Sequence, residues 1–446
     1  MIESWRSYMK CRRILLCIGM AASMALLAGC GSNMHQEGGQ VIMEEETAEE
    51  ENKVLTFFAP TDSASSEALR YKELIDRYNE GNPGIKVVFE GIATADGFNE
   101  YLEQRLDAGK GDDIFIENAD SVKHLYSKGY FYDLSDLPAF GKLNSSTRSQ
   151  ALIGDIAYCV PVEMTAYAMF VNVDLLEEYG LTPPTDLEEF LACCRSIKEQ
   201  GGTPISLNRW FALTVPTMAN GLYKIYGSED ADAIIEGLNK GEIKIGDYML
   251  EGFELFETMV KEGFYGDGLD GASVDALKAG AVDLPDFIAE RTAFFFGSLG
   301  GIRDMEQANP NLNCIVLGAP NPEGTVTLPA VAARLSVNAN SRYLDESLDF
   351  VTYISSGTYR KNADLASSLL PTYDDAEFQL LTESLRPAYE TYMEDGQIPI
   401  EDMQLKFNYW DTVRELCIQM FDGMTAEEAA VEYNEIQEEQ IALYQD

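Results

Sequence analysis

Histidine, the commonest general base, is nearly absent: only His35 and His124 occur in 446 residues. At most one of them could serve a Ser/His/Asp or Cys/His arrangement, and a His-rich zinc site cannot be assembled. His124 lies in a short helical stretch with nothing beside it in sequence to make it a base. Cysteine offers little more. Five thiols follow Cys30, namely Cys159, Cys193, Cys194, Cys314 and Cys417, with no CxxC spacing. An odd number with two adjacent members argues against a disulfide framework and for buried small hydrophobes. Asp267, Asp270 and Asp275 lack the spacing of a calcium loop and read as a solvated turn. Gly109-Lys110-Gly111 lacks the glycine before and the Ser/Thr after that a phosphate loop needs. What abounds is carboxylate, 75 Asp+Glu against 32 Lys+Arg, a net charge of -43. Such a surface repels phosphate backbones and anionic head groups, which excludes a nucleic-acid binder of the basic kind and a basic membrane patch. With so many acids, the carboxylate pair of an exported hydrolase would arise near any cleft by chance.

The first thirty residues carry a different chemistry. Arg6, Lys10, Arg12 and Arg13 precede an apolar run over 14–28, shorter than the roughly 20 residues of a membrane-spanning helix. The run ends in Leu27-Ala28-Gly29-Cys30. This is similar to the lipobox of bacterial lipoproteins, in which the cysteine is lipidated and becomes the mature first residue. Residues 1–29 are then a signal peptide, and the mature chain keeps 74 acids and 28 bases, net -46. Residues 30–52, with six glutamates between Glu44 and Glu51 and no apolar periodicity, read as an acidic flexible tether. The expected place of the protein is the outer face of a cell membrane, of a Gram-positive-type envelope, held by a lipid on Cys30.

From residue 53 the pattern is globular; the whole chain has 46% hydrophobic and 11% aromatic residues and room for two domains of ~100–200 residues each. Residues 54–58 read as a strand. Tyr71, Leu74, Ile75 and Tyr78 recur at helical spacing, residues 85–89 form a second strand, 98–106 a second helix and 113–116 a third strand. Strand and helix in alternation predict a parallel sheet with right-handed crossovers, and ligands of such sheets sit at the strand ends. Thr185-x-x-Glu188 reads as a capping box opening a helix with Leu187, Phe190, Leu191 and Cys194 on one face. Further strands are expected at 204–207, 292–296, 313–317 and 334–337, and helices at 344–355 and 426–442.

Several segments now stand in a recognisable order. Val54-Leu-Thr-Phe-Phe-Ala59 leads to Leu74-Ile-Asp-Arg-Tyr-Asn-Glu-Gly-Asn-Pro-Gly-Ile-Lys-Val87. Gly111-Asp-Asp-Ile-Phe-Ile116 precedes Ala119-Asp120. Ile156-Ala-Tyr-Cys-Val-Pro-Val-Glu163-Met-Thr-Ala-Tyr167 runs on to Val171-Asn-Val-Asp-Leu-Leu-Glu-Glu-Tyr-Gly-Leu181. Pro183-Pro-Thr-Asp-Leu-Glu-Glu-Phe190, Gly202-Thr-Pro-Ile205, Ala293-Phe-Phe-Phe-Gly-Ser298 and Tyr409-Trp410 follow. Together they resemble the extracellular solute-binding lipoproteins of ABC importers, of the maltose-binding-protein-like carbohydrate type. The resemblance implies an α/β, type II periplasmic-binding-protein-like fold of two lobes with the ligand in the interlobe cleft. Lobe one would be 53–160 plus 330–378, and lobe two 165–328 plus 379–446. It further implies a monomer, no cofactor, no catalysis of its own, and a permease that receives the solute.

Carried over by position, the ligand-facing residues would be Asp62, Asp120, Glu163, Trp210, Trp410 and Arg414, with Tyr158 and Arg334 close to the crossings. Aromatic rings suit the C–H faces of sugars and carboxylates accept hydroxyl pairs. The same set would hold a cation, and the two arginines a carboxylate or phosphate. Each residue also has a plainer role: Asp62 or Asp120 as a helix cap, Glu163 as a solvated strand end, Arg334 as a surface strand residue, the tryptophans as core. One departure stands out. Many sugar-binding members carry a tryptophan after the Gly-Ser of the 294–298 strand, and this chain has Leu299.

Overall fold

The structure is a computed structural model that describes residues 53–61, 66–92, 97–109, 112–117, 119–208, 211–266, 284–356, 370–373, 379–394 and 397–443. Strand β1 (Lys53–Ala59) buries Leu55, Phe57, Phe58 and Ala59 completely, with β2 (Ile85–Gly91) parallel on one side and β3 (Ile114–Phe115) parallel on the other. Helix α1 (Ser66–Gly81) lays Tyr71, Leu74, Ile75 and Tyr78 against this sheet, the face its spacing predicts, and α2 (Phe98–Asp107) adds Phe98, Leu102 and Leu106. Each fully buried ring or branched chain here contributes ~1.5–3 kcal/mol. Helix α3 (Ala119–Ser127) follows β3.

The long strand β4 (Val160–Asn172) leaves this core and enters another. Val160 and Val162 belong to the first core. Beyond them side chains alternate between two further cores, Met164, Ala166, Ala168 and Phe170 on one face, Met169 and Val171 on the other. Helix α4 (Leu187–Glu199) and strands β5 (Thr203–Ile205), β6 (Thr292–Ser298) and β7 (Cys314–Leu317) complete that second region. Strand β8 (Leu328–Val337) returns antiparallel to β4, carrying Leu328 in the second region and Ala333, Leu335 and Val337 in the first core. The register of the pair slips between Val331 and Arg334, at the point where both strands pass from one core to the other. A bulge there bends and twists the strand while keeping apolar side chains inward at both ends.

The sheet order is β2-β1-β3-β8-β4-β6-β5, with β7 also on β4. It is mixed: β1–β2, β1–β3 and β5–β6 are parallel, whereas β8–β3, β8–β4, β4–β6 and β4–β7 are antiparallel. The parallel sheet expected from the alternation is found at β1–β3 and β5–β6, whereas the crossing strands that run out and back meet head to tail. The capping box is also displaced by one residue. Asp186 caps α4 by accepting from Glu189 N, and Glu189 Oε2 accepts from Thr185 N and Oγ1. Helix α5 (Leu344–Ile354) packs on the first core, while α6 (Trp410–Phe421) and α7 (Ala426–Ala442) pack on the second. Among the described residues no helix is long and apolar enough to cross a membrane.

Candidate ligand-binding site

A third passage between the cores runs through residues 397–409. Ile398 N and Ile400 N donate to Thr327 O and Pro329 O, flanking the start of β8. Met403 packs in the first core, whereas Ile398, Leu405, Phe407 and Tyr409 pack in the second. This segment and the first turn of α6 enclose a cavity of about 280 Å³ lined by Glu401, Asp402, Asn408, Trp410 and Asp411, with Lys123 of α3 closing one side. The volume is near the lower end of small-molecule sites.

Trp410 is the first residue of α6 and half-buried; Val413, Leu416 and Cys417 anchor the helix in the core behind it. Its ring stacks on Tyr167 of β4, centroids 5.2 Å apart and planes 26° apart, and Tyr167 stacks in turn on Phe211 at 4.9 Å and 25°. The row fixes the indole at the cavity wall, and Leu299, where a further platform was in question, is a core residue 1% exposed.

The acids are held from behind. Arg334 is 6% exposed; its Nη1 donates to Tyr158 Oη at 2.9 Å, and its Nη2 to Val331 O and Glu401 Oε2 at 3.1 Å each. Tyr158 is fully buried and donates its own proton to Gln150 O at 2.7 Å. Burial alone would lower the guanidinium's pKa, yet Tyr158 and Glu401 beside it hold it well above its usual value. On the other wall Arg414, also buried, donates to Asp411 Oδ1 at 2.7 Å. Asp402 accepts from Tyr226 Oη at 3.0 Å and Gln404 N at 2.9 Å, and burial raises its pKa. Burial pushes the Lys123 amine down to about 8 against the pull of Asp402 and Glu401; its Nζ donates to Phe407 O at 3.3 Å.

Behind this wall lies Glu117, 3% exposed at the end of β3, whose carboxyl burial pushes up to about 7 although Arg334 and Ser336 oppose the shift. Ser336 Oγ is 2.9 Å from both Glu117 Oε2 and Tyr158 O. One hydroxyl proton cannot serve both, so the two contacts are satisfied together when Glu117 is protonated and donates to Ser336.

Of the residues singled out from sequence, Trp410 lines the cavity and Arg414 stands directly behind it. Tyr158 and Arg334 lie behind the wall, neither solvent-facing nor in the cavity lining, so the surface-strand alternative for Arg334 is set aside. Glu163 sits half-buried on β4 opposite Ala333, at the bulge, and is not a lining residue. Asp120 opens α3, but its side chain lies outside the described residues, as do Asp62, Trp210, Cys30 and the Asp267–Asp275 stretch. Sequence reasoning missed Glu401, Asp402, Asp411, Lys123, Tyr167 and Phe211. Tyr167 alone had a signal, as the aromatic that ends the Ile156–Tyr167 stretch of the family pattern.

Residues 64–359, well over half of the chain, match the family described as bacterial extracellular solute-binding protein. The chain belongs to that family. The melibiose/raffinose/stachyose-binding protein MelE of Bacillus subtilis is 23% identical over 340 residues, covering 73% of this chain and 76% of MelE. Among solved structures, a Bacillus subtilis binding protein in an open conformation aligns with a TM-score of 0.70 at 18% identity, covering 90% of this chain and all of that one. The apo form of RafE from Streptococcus pneumoniae aligns at 0.66 and 17%, covering 88% and 98%. The fold of this solute-binding protein is therefore the two-lobe, type II arrangement.

Proposed function

We propose that the protein captures a sugar or short oligosaccharide at the Trp410 cavity and delivers it to an ABC importer without altering it. The observation that carries this reading is the pairing, in one cavity, of a stacked indole with Glu401, Asp402 and Asp411. An aromatic face suits the C–H side of a pyranose, and the carboxylates suit its hydroxyls. The sugars that MelE is named for, and the RafE structure in complex with raffinose, support the same class. In this reading lobe one comprises 53–160 and 330–378 and lobe two 165–328 and 379–446, joined by β4, β8 and the 397–409 passage. Closure over the solute offers the permease a distinct shape. Residues 1–29 direct export, Cys30 carries the lipid, and residues 30–52 hold the binding unit off the membrane.

The test is a thermal-shift panel of raffinose, stachyose, maltotriose, cellotriose and xylotriose, with chromatography of the recovered sugar. A binder raises the melting temperature by mass action and is recovered intact. Stabilisation by amines or organic acids alone, or conversion of the sugar to product, contradicts the proposal.

A further inference from the structure

Among the described residues, Glu401 has a hydrogen-bond partner for Oε2 and none for Oε1. Oε2 accepts from Arg334 Nη2, while the side chain keeps 25% exposure and lines the cavity that Trp410 also lines. Its holder is unusual for a pocket acid. Arg334 is buried on the crossing strand β8, and its other hydrogen bonds go to the fully buried Tyr158 hydroxyl and to Val331 O. Tyr158 is itself tied to Gln150 O. A long acidic side chain on an irregular segment would ordinarily sample several rotamers, at an entropic cost to any ligand that must fix one. Here a buried guanidinium fixes Oε2, so the carboxylate that lines the cavity is held in place without help from the solute.

We infer that Glu401 is the principal hydroxyl-accepting group of the cavity, and that Arg334 and Tyr158 are positioning residues that aim its Oε1 at the ligand. The inference rests on the sugar-binding reading above and adds to it the acid that discriminates among hydroxyl patterns. Neutralising Glu401 inverts its polarity. In Glu401→Gln the amide must turn its oxygen to Arg334, leaving the NH₂ to face the cavity, so an acceptor becomes a donor while shape and the arginine contact persist. Tyr158→Phe removes the hydroxyl that takes Nη1 and loosens the guanidinium without altering the cavity lining.

The experiment is calorimetric titration of the tightest-binding member of the five-sugar panel into wild type, Glu401→Gln, Tyr158→Phe and the double variant. Glu401→Gln should weaken binding by about tenfold or more, the worth of a charge-assisted hydrogen bond. Tyr158→Phe should weaken it by about threefold in the wild-type background and have almost no effect in the Glu401→Gln background, because residues acting through one another are not additive. A purely structural role for Tyr158 predicts the same loss in both backgrounds and overturns the positioning claim. Wild-type affinity in Glu401→Gln overturns the assignment of Glu401. Absence of binding by every sugar to wild type overturns the sugar reading and this inference together, a result distinct from the other two.

Discussion

Two buried arginines each hold a cavity acid, and they do so by different means. Arg414 and Asp411 are three residues apart on the first turn of α6, so a helix places them together whatever the rest of the chain does. Arg334 and Glu401 are 67 residues apart, and their meeting requires β8 and the 397–409 passage to lie side by side with Tyr158 between them and the first core. The first pair reports on local structure. The second reports on the join between the two cores, which under the proposed function makes it the place where ligand recognition and core geometry share a group.

The sharpest way to break that contrast is Arg334→Met. It removes the guanidinium that holds Glu401 and donates to Tyr158 Oη; because Glu401 keeps 25% exposure, the loss of stability should fall short of the ~3–5 kcal/mol of a fully buried pair. Chemical denaturation should show that loss together with loss of sugar binding, whereas Asp411→Asn should change stability by less than about 1 kcal/mol, as an exposed intrahelical partner does. A comparable loss in both would remove the distinction.

Glu117 gives the next effect. Its folded-state pKa, raised from 4.5 to about 7, means the native state holds a proton that the unfolded chain releases between those values. Stability from this group is therefore present below pH 4.5 and is lost as pH rises through 7, by on the order of 3 kcal/mol. Glu117→Gln should flatten the decline of melting temperature across that window; an unchanged slope would show that Glu117 is ionised throughout. Trp410→Ala should then weaken sugar binding by on the order of tenfold to a hundredfold, the worth of a buried aromatic anchor, with affinity measured by calorimetry. Affinity equal to wild type would place the ligand elsewhere. Lys123→Met gives the smallest net change, a modest gain in stability at pH 7, because the lost donor to Phe407 O and the lost attraction to Asp402 and Glu401 offset much of the relief of burial. Burial disfavours the charged amine, so its cost is present below pH 8 and fades as pH rises from 8 toward 10.5.

The regular elements were legible because their apolar residues keep a strict period. Tyr71, Leu74, Ile75 and Tyr78 face the sheet, and the helix expected over 426–442 is found at Ala426–Ala442. The cap at α4 slipped by one because Thr185-Asp186 and Glu188-Glu189 offer two equivalent frames, and only the geometry chooses Asp186. The site was less legible. Trp410 is named by its place in the family pattern, but Glu401 lies in Pro399-Ile400-Glu401-Asp402, a stretch without motif or period. Its role depends on Arg334 being buried, and a lone arginine in a strand gives no sign of which side of the sheet it will occupy. Long-range polar contacts of this kind have no sequence period to reveal them.

The central claim is that the Trp410–Glu401 cavity binds a sugar and releases it unchanged. Calorimetric titration of raffinose, stachyose and the three linear trisaccharides into the folded protein, with the sugar recovered and chromatographed, tests it most directly. The account predicts saturable one-to-one binding of at least one of them, weakened by Trp410→Ala and Glu401→Gln, with the sugar recovered intact. Binding untouched by both substitutions, or a sugar returned as shorter products, would contradict it.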